Sequence, residues 1–295
     1  MQTFDYVAAH SISEAVGLLE RSAGGARVLA GGTDILTQLR EGRIKTQLLV
    51  DIKGVPEVNV LAYDAATGLH VGAAVPCQRI YTDPIVVEAF PGLIDALSLI
   101  GSTQIQGRAT IGGNMGNASP AADTIPALIV HKAVCEIVGP AGRRSVPAED
   151  FCTGPGQTIL QKGELLVSLH IPPPHPGFGA SYLRFIPRNE MDIAVAGAGA
   201  SVILEKDGKT IRSARVALAA VAPTSLLVSG AGELLAGRQV SDETISEAAK
   251  AARDMARPIS DMRGTAAQRK HLSEVLTRRA LHRALERARR TLGEA

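Results

Sequence analysis

Two short glycine-rich segments, Ala30-Gly31-Gly32-Thr33-Asp34 and Thr110-Ile111-Gly112-Gly113-Asn114, constrain this chain more than any other feature. Each comes after an apolar stretch. Glycine lets the backbone approach a neighbour closely and adopt positive φ. Each segment therefore reads as a turn from strand into helix, with backbone N–H groups aimed outward. Such groups at a helix N-terminus attract an anion. One turn alone reads as an ordinary connection. Two, the second running on into Ala118-Ser119-Pro120-Ala121-Ala122-Asp123, read as a clamp around a large phosphorylated ligand. Thr33 can add a hydroxyl donor. A phosphate would repel Asp34, so its role is orienting: to cap the turn, or to accept from a ribose or a neighbouring amide. Thr110, Asn114 and Ser119 offer uncharged donors. Asp123 lies too far along for the tight turn and reads as an acceptor for ligand hydroxyls.

The usual owners of such turns are excluded. No Gly-Lys-Ser/Thr follows either segment, so neither is a Walker A loop. Neither has the G-x-G-x-x-G of a dinucleotide-binding unit. Gly197-Ala198-Gly199 lies inside a small-residue strand, where close backbone packing accounts for it. The seven histidines show no ligand or triad spacing. Cys77, Cys135 and Cys152 are far apart, so the reading is three buried or partly buried free thiols, with no disulfide framework and no metal site carried by this chain. A net charge of +2 and 3% aromatic residues argue against a nucleic-acid surface. The N-terminus does not read as a signal peptide. No apolar run approaches the roughly 20 residues of a membrane span, and the chain reads as cytoplasmic.

A chain of 295 residues is long enough for several structural units. Ser11-Ile12-Ser13-Glu14 reads as a capping box, with Ala15, Val16, Leu18 and Leu19 as the apolar stripe and Gly24-Gly25 as the stop. A strand at 27–30, the first glycine turn, a helix carrying Ile35, Leu36 and Leu39, and a strand at 48–52 complete a unit over 1–57. A second unit, 58–176, holds strands at 69–73, 133–138 and 165–171. It also holds a helix start at Asp83-Pro84 and a helix over 92–100. Pro172-Pro173-Pro174 is the clearest linker. The third unit, 177–295, has strands at 180–185, 194–204 and 213–221, a hairpin signal at Asp207-Gly208, and helices from Ser241 with a break near Pro258. The last helix carries Arg278, Arg279, Arg283, Arg287, Arg289 and Arg290 and reads as solvated or partner-facing.

In these blocks the chain resembles the FAD-binding medium subunits of molybdenum hydroxylases, a family that includes the medium subunit of carbon monoxide dehydrogenase and the flavin domain of xanthine dehydrogenase. The resemblance starts at Phe4-Asp5-Tyr6 and takes in both glycine segments and the Ala118–Asp123 run. Glu164-Leu165-Leu166-Val167-Ser168 and Met191-Asp192-Ile193-Ala194 follow in order. It implies an α+β fold: a two-subdomain FAD-binding unit of the vanillyl-alcohol oxidase type, then a C-terminal domain of a three-stranded antiparallel sheet with helices. It implies that Ala30 to Leu36 (Ala30, Gly31, Gly32, Thr33, Asp34, Ile35, Leu36) and Thr110, Gly112, Gly113 and Asn114 hold the FAD pyrophosphate. Ser119 and Asp123 belong to the second block, with Asp123 facing the ribityl chain. Leu166 packs by the adenine or flavin, and Arg184 and Arg188 lie near the flavin and its approach. The implied partners are a large molybdopterin subunit and a small subunit with two 2Fe–2S clusters, as a dimer of heterotrimers. Electrons would pass from the clusters through FAD to NAD, a quinone or oxygen, and no side chain of this chain would be a catalyst. No cysteine cluster is present for an additional 4Fe–4S centre, and Gly116 leaves the flavin face more open than in some relatives. Two other readings stay open: a stand-alone flavoenzyme of the same fold, and a non-enzymatic nucleotide-binding assembly module.

Overall fold

The computed structural model describes residues 3–22 and 25–293. The first part of the chain runs β1 (Asp5–Ala8), α1 (Ile12–Arg21), β2 (Ala26–Leu29), α2 (Ile35–Arg40) and β3 (Leu48–Asp51). The strands form a parallel sheet in the order β1-β3-β2. The N-cap Ser11 hydroxyl accepts the Glu14 N–H at 3.2 Å, and the Glu14 carboxylate accepts the His10 N–H at 2.9 Å. This is a capping box displaced by one residue. Ile12, Ala15, Val16 and Leu19 face the core, as the stripe predicts. Gly24 of the predicted stop lies outside the described residues. The sequence gives no sign of β1, because three of its four residues are exposed and so lack a buried periodicity.

The middle of the chain builds one five-stranded antiparallel sheet, in the order β4-β5-β10-β6-β7. Its strands are β4 (Leu61–Asp64), β5 (Gly68–Gly72), β6 (Val134–Gly139), β7 (Gly142–Pro147) and β10 (Leu165–Ile171). A short ribbon of β8 (Cys152–Gly154) and β9 (Gln157–Thr158) sits between them. Short helices α3 (Cys77–Tyr81), α4 (Pro84–Ala89), α5 (Pro91–Leu97), α6 (Thr103–Gln106), α7 (Ile111–Asn117), α8 (Thr124–Val130) and α9 (Ala148–Phe151) link the strands. Their apolar residues bury Leu69, Val71, Cys135, Ile137, Leu166 and Leu169 of the sheet. Leu165 and Val167 point the other way, into a core shared with α1 and β3. The two faces of β10, offset by the irregularity between Leu166 and Ser168, join the first sheet to the back of the second. Asp83 caps α4 by accepting from Ile85 and Val86 N–H, with Pro84 at the first helical position. α5 ends at Leu97, three residues before the sequence reading stops it.

The last part holds β11 (Phe178–Phe185), β12 (Ala196–Leu204) and β13 (Ile211–Ala219) as three long antiparallel strands. The two-residue β14 (Leu226–Leu227) adds to the β13 edge. Asp207 makes the predicted turn by accepting from the N–H of Lys209 and Thr210. Helices α10 (Ser229–Leu235), α11 (Asp242–Met255) and α12 (Ala266–Thr291) cover the sheet. The small residues of β12 allow close approach: a Cβ on Gly199 would lie 3.0 Å from Pro126 O, and one on Gly197 2.4 Å from the Tyr182 hydroxyl.

The basic face of α12 departs from expectation. Arg278, Arg279 and Arg290 are exposed, but Arg287 reaches back to Asp95 on α5, 192 residues away, with contacts of 2.5 and 2.9 Å. Arg283 adds a third contact at 3.3 Å, and Arg289 donates to Gly208 O. Two of the six arginines, Arg283 and Arg287, therefore tie α12 to α5 of the middle part, and Arg289 holds the hairpin of its own sheet. Sequence could not show this, because the partner carboxylate lies in another unit. All three cysteines are free thiols, with Cys77 and Cys135 buried and Cys152 half-buried. No helix among the described residues is long and apolar enough to cross a membrane.

Candidate functional site

The first glycine segment joins β2 to α2. Gly32 has φ +84°, a left-handed conformation that favours glycine. A Cβ on Gly31 would fall 2.0 Å from Arg108 O, so no larger residue fits there. The loop thus lies directly on the chain that leads into α7. Two further bonds fix the contact: Arg108 Nε donates to Gly31 O at 3.3 Å, and Gln38 Nε2 donates to Asn117 Oδ1 at 3.0 Å. The fold therefore brings the two glycine segments, about 80 residues apart, side by side. Arg108, Gln38 and Asn117 escape the sequence reading because none belongs to a motif.

The backbone N–H groups of Gly31, Gly32, Thr33, Asp34 and Ile35 have no hydrogen-bond partner among the described residues. The next N–H, of Leu36, is already taken by Gly32 O at 3.2 Å. Five successive unpaired donors are available to an anion. Asp34 does not make the predicted cap: it sits at the start of α2 in the helical region without a side-chain cap bond. Desolvation holds its carboxyl above the usual carboxylate range. Ala30, Thr33 and Ile35 are half-buried, and Leu36 is exposed at the rim.

The second segment is helical rather than a turn. Thr110 is the N-cap of α7, and its hydroxyl accepts the Gly113 N–H at 3.0 Å. Thr110 O accepts the Asn114 N–H, and Ala73 O accepts the Gly112 N–H. These three donors are thus used within the protein. The reason is local: a threonine followed by helical residues caps itself, which the sequence reading took for an open turn. What α7 offers instead is a face without side chains. A Cβ on Gly113 would meet only Thr110 Oγ1, at 2.8 Å, and one on Gly116 would meet nothing within 4 Å. Gly112 is different: a Cβ there would lie 2.4 Å from Ala73 Cβ, so this glycine serves packing. Asn114 Oδ1 accepts the Thr124 hydroxyl at 2.5 Å, and Ser119 Oγ accepts the Ala121 N–H at 3.3 Å.

Asp123, at the start of α8, is 7% exposed. Its two carboxylate oxygens are both engaged: Oδ1 accepts the Tyr182 hydroxyl at 2.8 Å, and Oδ2 accepts from Arg184 at 2.6 Å. Both partners come from β11. Burial pushes the Asp123 carboxyl up to about 6, against the pull of Arg184 and Tyr182; it remains ionised at neutral pH. The Arg184 side chain is 6% exposed, and its Nε is buried without a partner. Leu166 lies in the sheet core on β10, beside an irregularity in the pairing with β6. Arg188 is exposed on the loop after β11, where it donates to Met191 O and lies 3.8 Å from Asp192. Tyr182 is absent from the sequence reading, since a buried tyrosine on a strand looks like core.

Known proteins match this arrangement over most of the chain. Residues 2–174 match the family described as FAD binding domain in molybdopterin dehydrogenase. Residues 181–284 match the CO dehydrogenase flavoprotein C-terminal domain. The chain is 33% identical over 284 residues to the carbon monoxide dehydrogenase medium chain of Hydrogenophaga pseudoflava, covering 96% of this chain and 98% of that one. It is 30% identical over 289 residues to the putative xanthine dehydrogenase FAD-binding subunit of Escherichia coli, covering 97% and 98%. The solved carbon monoxide dehydrogenase of Hydrogenophaga pseudoflava superposes with a TM-score of 0.93 at 32% identity, over 97% of this chain and 98% of that one. Quinoline 2-oxidoreductase of Pseudomonas putida 86 gives 0.89 at 30% identity, over 97% and 98%. With the first match spanning more than half of the chain and the whole fold shared, the chain belongs to the family of FAD-binding flavoprotein subunits of the molybdopterin dehydrogenases, and is an oxidoreductase component.

Proposed function

We propose that this chain carries FAD in the cleft between the 30–36 loop and α7, and passes electrons from an iron–sulfur partner to an external acceptor. The observation that carries the reading is the run of five unpaired N–H groups, Gly31 to Ile35, facing a helix stripped of side chains at Gly113 and Gly116. These residues fit the cofactor. A pyrophosphate needs convergent uncharged donors, and the loop supplies them without the cost of desolvating a cation. A flat or extended ligand needs a wall that it can approach closely, and α7 supplies one.

In this reading Ala30, Gly31, Gly32, Thr33, Asp34, Ile35 and Leu36 hold the pyrophosphate. Thr110, Gly112, Gly113, Asn114 and Ser119 form the opposite wall. Asp123 and Arg184 lie by the ribityl–flavin part, and Leu166 backs the site from the core. Residues 1–57 and 58–176 are the two halves of the clamp, and 177–295 the domain that closes it. When bound, the flavin takes up electrons and hands them on; the protein positions it and sets its potential. The chain's own residues bind, orient and exclude water.

The relatives are named as medium chains and FAD-binding subunits, which supports a large molybdopterin subunit and a small 2Fe–2S subunit as partners, assembled as a dimer of heterotrimers in the cytoplasm. NAD, a quinone or oxygen would be the final acceptor. The test is to purify the chain from its own organism and analyse what comes with it. The reading predicts stoichiometric FAD and two partners carrying molybdopterin and 2Fe–2S clusters. Robust turnover of a small molecule by the chain alone would contradict the subunit role, and absence of FAD would contradict the cofactor.

A further inference from the structure

We infer that Tyr182 is a positioning residue of the flavin site, acting through Asp123 to fix Arg184 and the start of α8, whose Thr124 hydroxyl is bonded to Asn114 of α7. The inference rests on the FAD reading above and adds a residue that no motif contains. Its basis is a three-member buried relay. Tyr182 is 1% exposed, and its hydroxyl donates to Asp123 Oδ1 at 2.8 Å. Arg184 NH1 donates to Asp123 Oδ2 at 2.6 Å. Each carboxylate oxygen is thus held by a different residue of β11, and the carboxylate plane has little freedom to turn. A fixed carboxylate in turn fixes the guanidinium that binds it, since Arg presents its donors in a rigid planar fork.

Tyr182 and Arg184 are two residues apart on β11, so they share one face of the strand and meet Asp123 together. Asp123 belongs to the middle sheet's helices and β11 to the last sheet, so the relay makes the flavin site depend on docking between the two. The position of the phenol is itself enforced. Gly197, the β12 partner of Arg184, lies under the phenol, and a Cβ there would lie 2.4 Å from the hydroxyl.

The experiment is FAD titration of the deflavinated full-length chain, followed by flavin fluorescence, with the flavin midpoint potential and a thermal melt measured alongside. Tyr182→Phe removes only the hydroxyl. Leaving one oxygen of a buried carboxylate unpaired should raise the FAD Kd about tenfold and shift the potential. Asp123→Asn should do at least as much, and the double variant should be no worse than Asp123→Asn alone, because Tyr182 acts only through Asp123. If Tyr182→Phe does not fold, Gly197→Ala displaces the hydroxyl with the phenol still present and should give the same rise. A lowered melting temperature with unchanged Kd and potential would overturn the inference, making Tyr182 a core residue and no more. Additive effects in the double variant would overturn it too. A wild-type chain that takes up no FAD would overturn the cofactor reading, and the relay with it.

Discussion

Replacing Gly116 separates the fold from its ligand. Gly116 lies in the last turn of α7, and a Cβ there meets no atom within 4 Å. Glycine costs about 0.5–1 kcal/mol relative to alanine inside a helix, and leucine is nearly as good a helix former. Gly116→Leu should therefore leave the apo-protein as stable as wild type, or more stable by a few tenths to about 1 kcal/mol. The same side chain would occupy the wall against which the proposed site places the cofactor. At a free FAD concentration of about 100 Kd, binding stabilises the wild type by about 2.7 kcal/mol; a hundredfold rise in Kd reduces that to about 0.4. Thermal melts with and without FAD would read both numbers. In a chain of this size about 1 kcal/mol moves the midpoint by roughly 2–4 °C, so the wild type should gain several degrees on adding FAD and the variant almost none. If Gly116→Leu kept the full FAD shift, that face of α7 would not meet the cofactor. If the apo-protein lost several kcal/mol, the open space beside Gly116 would be misread.

Gly112→Ala should behave in the opposite way, because its Cβ would press on Ala73 at 2.4 Å: unfolding in denaturant should show a loss of about 1–3 kcal/mol, with FAD affinity falling only as the fold does. Asp95→Ala leaves Arg287 without its carboxylate, and both side chains are less than a fifth exposed, so a loss of about 3 kcal/mol is expected; limited proteolysis should then cut near the 172–177 linker, and an unchanged denaturation midpoint would refute the clasp. The Asp261 carboxyl is held below the usual range, first by its bonds from Arg269 and then by the Arg263 N–H. A depressed native pKa gives stability that is present above the unfolded value of about 3.9 and is lost as pH falls through the native value. Asp261→Asn should therefore flatten the stability–pH curve below about pH 4 and lower the plateau above it; parallel acid limbs for variant and wild type would refute this.

Much of the fold is legible in the sequence where a single element carries its own signal. Ser11 and Asp83 announce helix starts, β10 is an apolar run broken only by Ser168 and His170, and Asp207-Gly208 marks its hairpin. The weak elements are those whose stability comes from elsewhere. β1, β4 and β7 are short and alternate with exposed positions, so only their pairing partners define them. The site is legible in the same uneven way. Glycines reveal where backbone must come close, which is why the two segments that meet at Gly31 and Arg108 both stand out. They do not reveal which N–H groups remain unpaired, since that depends on Ala73 and Thr110 capping one wall and nothing capping the other. The relay of Tyr182, Asp123 and Arg184 is invisible for another reason: a buried ion pair between distant segments leaves no periodic pattern. Arg287 and Asp95 are hidden likewise.

Hydrogen exchange of the 30–37 segment, followed by mass spectrometry with and without FAD, tests the central claim most directly. Unpaired N–H groups exchange fast in the apo-protein, and an anion that accepts from them slows exchange. The account predicts that Gly31 to Ile35 exchange quickly without FAD and gain protection with it, while Gly112 to Asn114, already bonded to Ala73 and Thr110, change little. A 30–37 segment that stays unprotected under saturating FAD would contradict the clamp.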